Sequence, residues 1–254
     1  MLETINLNNN LSKAAYSKQM PVLQDRMRKL QYQIHEAGIP VIICLQGWNT
    51  SGRGRVIKKL TEKLDPRMFR VHPGKPPTKL ERCYHFLWRY QVALPNYGEI
   101  GLFDHSWYGR VLIERCDKLT PKKEWREAYQ QINEFERLLT DDGQVLLKLW
   151  MHISKSEQKK RYRECERDPL LKWKITKEYK RQHRNYDDWT EAIEDMLAKT
   201  NTAYAPWSVI EANDLNWARV KVFEVLIRRC EEALDRKKAS AGLKVVTKTE
   251  ARHA

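Results

Sequence analysis

The sequence predicts an α/β protein: a largely parallel sheet flanked by helices, with a basic helical segment late in the chain. Three observations predict it. Five short apolar segments alternate with stretches of helical period. The first and fourth of these are nearly unbroken apolar runs, the pattern of strands buried on both faces. Residues 155–185 hold twelve Lys or Arg against five Asp or Glu, half of the chain's net charge of +14 in one stretch.

The elements follow in order. Residues 1–17 are polar and Asn-rich and predict a flexible lead-in. Leu23, Met27, Leu30 and Ile34 recur at helical spacing and predict a helix over 22–36. The run 41–45 predicts the first strand, and 55–64 the helix after it. A second strand is predicted at 68–72, a helix at 80–94 and a third strand at 100–103. Thr120-Pro121 is a helix start for 125–139. The run 145–150 predicts a strand buried on both faces. Ser154 and Glu157 form a capping box that opens the basic segment as a helix. A last strand is predicted at 208–210 and a closing helix at 215–234. The Lys-, Ser-, Ala- and Thr-rich stretch 236–254 predicts a disordered tail.

Composition narrows the function. The chain has 254 residues, 41% of them hydrophobic, with nine Trp and eleven Tyr. That is enough for a core and too aromatic for a disordered chain. Five cysteines at 44, 83, 116, 165 and 230 form no CxxC pair, which argues against a disulfide framework or a cysteine zinc site. Reduced thiols and the lack of an apolar leader predict a cytoplasmic protein. No apolar stretch approaches a membrane span. The charge predicts an acidic partner such as phosphate, nucleotide or another polyanion. Nucleic acid ranks last, because no nucleic-acid motif is present.

Two motifs carry chemistry. Gly47-Trp48-Asn49-Thr50-Ser51-Gly52-Arg53-Gly54 joins a strand to a helix, the setting in which a glycine-rich turn offers backbone N–H groups to phosphate. Gly98 to Asp104 is a strand ending in a carboxylate, placed to hold Mg²⁺ beside such a turn.

Together these residues resemble a known family. Phe103-Asp104-His105-Ser106-Trp107-Tyr108-Gly109-Arg110 resembles the FDRSWY(N/G)R signature of family-2 polyphosphate kinases. Asp168-Pro169-Leu170-Leu171-Lys172-Trp173-Lys174-Ile175-Thr176 resembles their DPLKRWKIT signature. Ala205-Pro206-Trp207 with Glu211-Ala212-Asn213-Asp214 resembles their late APW…xANDK segment. The resemblance runs from about 18 to 234, and the wording of 106–115 is nearest to the AMP-directed members. It implies one P-loop kinase-like domain over 18–235 with a basic lid at about 154–186. It implies phosphoryl transfer between polyphosphate and a nucleotide, with Mg²⁺ or Mn²⁺, by a homodimer or homotetramer.

The chain departs from the family pattern where phosphate and metal would sit. The family loop G-x-D-x-x-G-K-G has Asn49 and Arg53 here, and the Arg of FDRSWY is His105. Asn49 keeps an oxygen but no charge, and a hard cation depends on anionic oxygen. Arg53 keeps the charge in a planar fork. The resemblance implies Asp104, Arg53, Asn49 and Arg110 as catalytic residues, with Asp104 and Asn49 on the metal. It implies Gly47, Gly52 and Gly54 as phosphate-loop residues, and His105, Arg161, Arg167, Lys172 and Lys174 on polyphosphate. Glu114, Arg115 and Lys75 are expected at the nucleotide. The competing reading is a relative with impaired chemistry that binds polyphosphate or nucleotide as a sensor.

Overall fold

A computed structural model describes residues 1–250, without the side chains of Lys174 and 240–250; residues 251–254 lie outside it. The chain runs α1 (Lys13–Glu36), β1 (Val41–Gly47), α2 (Arg53–Thr61), β2 (Phe69–Pro73), α3 (Trp88–Gln91), β3 (Ile100–Asp104) and α4 (Ile113–Cys116). It continues with α5 (Lys122–Asp141), β4 (Val145–His152), α6 (Lys155–Arg167), α7 (Lys177–Arg184), α8 (Tyr186–Thr200), β5 (Trp207–Glu211) and α9 (Leu215–Glu250).

The five strands form one sheet in the order β2-β3-β1-β4-β5, every pair parallel. β1 and β4 are buried along their whole length, which is why both read as nearly unbroken apolar runs. Helices α1, α2 and α9 pack together as one group, and α4, α5 and α8 as another. In register, Leu45 of β1 pairs with Asp104 of β3, so the ends of both motif strands emerge side by side. In open parallel sheets ligands bind outside these carboxyl ends.

All five strands lie where the sequence places them, each within two residues at either end. Four other expectations need correction. Residues 80–94 form only a 3-10 turn (Glu81–Cys83) and the short α3, because Tyr84 between them is extended and stacks on Trp88 at 4.3 Å. Helix α8 was not foreseen; its acidic first turn and buried Trp189, Ile193, Met196 and Leu197 follow directly on the basic segment. The N-terminal residues are tied down: Leu2 is buried and its N–H donates to Glu194 at 2.6 Å. α9 continues to Glu250 through much of the stretch expected to be a loose tail, where Ala, Lys, Arg and Leu are all good helix formers. Among the described residues no helix is long and apolar enough to cross a membrane.

Candidate active site

The turn between β1 and α2 is shaped by close approach. A Cβ at Gly47 would lie 2.7 Å from the Met151 carbonyl oxygen, so only glycine lets β1 run beside β4 there. Gly52, with φ +97°, caps α2 in the left-handed region that glycine tolerates. Gly54 has open space around it. The backbone N–H groups of Thr50, Gly52, Arg53 and Gly54 find no acceptor among the described residues, at the positive end of α2.

Arg53 is turned inward beneath this turn. Its Nε donates to Asp104 Oδ1 at 2.9 Å, and Nη1 donates to the carbonyls of Gly47 at 2.6 Å and Trp48 at 3.1 Å. Its Nη2 lies 2.6 Å from His105 Nε2. Asp104 ends β3 within reach of the cleft. Burial alone raises its pKa, but the charge of Arg53 and the Arg53 hydrogen bond outweigh this and hold it below the ordinary carboxylate value. Burial first, then repulsion from Arg53, push His105 down to about 3, so it is neutral at pH 7. His105 therefore brings no positive charge to a polyanion.

The basic segment closes over the turn from the other side. Asn49 donates its backbone N–H to Gln182 Oε1 of α7 at 2.9 Å. Trp48, fully buried, stacks on Tyr186 at 4.1 Å and donates its Nε1 to His152 Nδ1 at 3.0 Å. Arg161 was expected on polyphosphate but is buried. It donates to Glu157 at 2.7 Å and to the carbonyls of Thr50, Ala212 and Asn213, so it pins the turn to the start of α9. Arg167 and Lys172 are exposed, as polyanion contacts require; the Lys174 side chain lies outside the described residues.

The remaining expected residues divide. Lys75 and His105 line one cavity of about 210 Å³ with His72, Arg89, Tyr90 and Phe103. Arg110 pairs with Glu114 at 2.8 Å, bonds Thr120 at 2.8 Å and lies over the Phe86 ring. Arg115 does not face the cleft. It ties α4 to α5 and α8 through Tyr129 at 3.0 Å, Asp195 at 2.6 Å and Glu191 at 2.9 Å. Its assignment to nucleotide gives way to this structural role. Sequence reasoning missed Gln182, Tyr186 and Gln46. Each is a lone polar or aromatic residue whose partner lies on another element, so no local spacing marks it.

His152 makes a pH prediction. It accepts from Trp48, and burial pushes its pKa down to about 4, only partly opposed by Glu194. The unfolded chain, with a histidine near 6.5, binds the proton that the folded chain refuses. This stability is therefore fully present above about pH 6.5 and is lost as pH falls toward 4. Stability at pH 5 should be about 2 kcal/mol below that at pH 7 from this group alone. Urea midpoints of the unaltered protein and of His152→Asn test it: the loss should shrink in the variant, and an equal loss in both would contradict it.

With this geometry in place, comparison with known proteins is direct. Residues 10–238 match the family model described as polyphosphate kinase 2. The chain is 35% identical over 238 residues to a polyphosphate:AMP phosphotransferase of Pseudomonas syringae, covering 94% of this chain and 48% of that one. It is 35% identical to an ADP-polyphosphate phosphotransferase of Pseudomonas aeruginosa, covering 86% and 72%. The crystal structure of polyphosphate kinase 2 from Arthrobacter aurescens superimposes with a TM-score of 0.87 at 29% identity, over 91% of this chain and 85% of that one. The fold is thus the P-loop kinase-like one, a parallel five-stranded sheet flanked by helices. The chain belongs to the polyphosphate kinase 2 family. It spans about half the length of the polyphosphate:AMP phosphotransferases it matches.

Proposed function

We infer that this protein transfers a phosphoryl group between inorganic polyphosphate and a nucleoside mono- or diphosphate, with AMP the first acceptor to test. One observation carries the reading. A turn with four N–H groups that have no acceptor among the described residues sits over a strand-end carboxylate that is joined to a buried arginine. That arrangement binds anionic oxygens on one side and places charge beside them on the other.

The residues act by position and charge. The free N–H groups of the turn would hold a phosphoryl group at the mouth of α2. The attacking oxygen is a nucleotide phosphate oxygen, already ionised at neutral pH, so the step needs no general base and an uncharged Asn49 is compatible with it. As that oxygen bonds to phosphorus, the bond from phosphorus to the polyphosphate bridging oxygen breaks and the charge stays on the shortened chain. One Nη2 N–H of Arg53 remains for an anion in this region, and exposed Arg167 and Lys172 would track the polyanion.

Mg²⁺ fits the donor set in kind. Mg²⁺ usually takes one or two carboxylates plus phosphates and waters. Asp104 keeps its Oδ2 without a protein donor among the described residues, and Asn49 adds a neutral oxygen on the turn. No cluster of three His, Cys, Asp or Glu suited to a metal exists among the described residues, so the ion would come with the phosphates. When bound it would neutralise phosphoryl oxygens.

The test is turnover. Protein, long-chain polyphosphate and Mg²⁺ are mixed with AMP, ADP or GDP, and the nucleotides are separated by chromatography. Mg²⁺-dependent product confirms the reading and names the acceptor. One observation favours the binding-only alternative: the Arg53 donors mostly face protein acceptors. Tight polyphosphate binding without product would establish that alternative. We place the protein in the cytoplasm as a homodimer or homotetramer, which light scattering of the purified chain would check.

A further inference from the structure

The two departures at 53 and 105 touch each other. A guanidinium has five N–H donors and no acceptor, so at 2.6 Å from Arg53 Nη2 the His105 Nε2 must accept. Its proton is then on Nδ1, which lies 3.2 Å from Gln46 Oε1 as the acceptor. Gln46 in turn donates through Nε2 to Ser106 Oγ at 3.1 Å. A line of hydrogen bonds thus runs from β1 through His105 to Arg53. His105 itself sits with φ +66°, and its ring reaches Arg53 and Gln46.

We propose that Arg53 and His105 are a matched positioning pair, in which His105 serves as the acceptor that fixes the Arg53 guanidinium against Asp104 and the glycine-rich turn. This rests on the phosphotransferase reading above. The geometry shows why the residues must match. Asp104, Gly47, Trp48 and His105 engage four of the five donors of Arg53. One N–H, on Nη2, is left for an anion. The family signature has an arginine at 105. Beside Arg53 that arginine would set two donor-only cations head to head, with no acceptor between them. A lysine at 53 has a compact ammonium and no fork to align, so it does not need the histidine. The chain therefore carries one working combination, Arg with His, in place of Lys with Arg.

Five proteins test this: the unaltered chain, Arg53→Lys, His105→Arg, the double variant and His105→Gln. Each is measured for thermal midpoint, polyphosphate affinity by calorimetry, and kcat and KM for nucleotide. His105→Arg alone should lower kcat about 10-fold or more and lower Tm by about 5 °C. Adding Arg53→Lys to it should recover most of both losses, a coupling between sites that independent changes would not show. His105→Gln, which retains a side-chain acceptor, should keep nucleotide KM and lose less kcat than His105→Arg. Additive effects on both Tm and kcat would overturn the pairing. A coupled Tm in a set where no protein turns over would uphold the pair and overturn the phosphotransferase reading instead.

Discussion

Glu136→Ala is expected to destabilise the fold by about 3–5 kcal/mol, the range for breaking a buried ion pair from one side. Glu136 and Lys148 are fully buried and meet at 2.7 Å between α5 and β4. Burial pushes the Glu136 carboxyl up and the Lys148 ammonium down, and each is countered by the charge of the other. The pair is also a junction. Glu136 accepts from Trp107 Nε1 at 2.9 Å and from the Tyr108 hydroxyl, while Lys148 donates to the Thr200 carbonyl at 2.6 Å. Removing Glu136 leaves an ammonium and two ring donors without their acceptor. Lys148→Ala leaves one carboxylate with two donors still in place, so its loss should be smaller by about 1 kcal/mol or more. Replacing both by apolar residues should recover only part, because the Trp107 and Tyr108 donors stay orphaned, although the Thr200 carbonyl keeps the Thr202 N–H at 3.1 Å. Urea unfolding of the three variants measures this. A loss below about 1 kcal/mol for Glu136→Ala would mean the buried pair is dispensable.

This network explains part of a motif that looks catalytic. Trp107 and Tyr108 stand in the signature after Asp104, yet both are fully buried and face Glu136 rather than the cleft. They fasten the loop after β3 to α5, and so fix the direction in which Asp104 leaves the sheet. β1 and β4 were legible because burial on both faces leaves a nearly unbroken apolar run. The turn and Asp104 were legible because glycine and carboxylate at strand ends are local signals. Arg161 was misread because a charged residue in a basic segment looks like every other until burial separates it: Arg161 is buried while Arg167 is exposed. The inward turn of Arg53 was not legible at all. It depends on the carbonyls of Gly47 and Trp48 and on His105, brought together only by the β1–β3 register.

Asp104→Asn should then have the largest effect on turnover, a fall of about 10²–10³ in kcat, the usual result of removing one well-aimed electrostatic group. The amide has the size of the carboxylate and keeps an oxygen for Arg53 Nε, so the turn should hold its shape. What disappears is a carboxylate at the cleft that Mg²⁺ could use; Asn49 is uncharged, and Glu114 and Glu81 are paired with Arg110 and Arg89. The Mg²⁺ concentration for half-maximal rate should therefore rise about tenfold or more, while nucleotide KM changes little. Stability should fall by only about 1 kcal/mol, because the Arg53 pair is part-exposed on the Asp104 side. Asn49→Asp runs the experiment in reverse. It adds a carboxylate on the turn and should tighten Mg²⁺ and raise kcat. If Asp104→Asn kept kcat within about threefold and left the Mg²⁺ dependence unmoved, Asp104 would be only the partner that orients Arg53. The charge on the transferring phosphoryl group would then have to be met by the turn and by the cations of the lid.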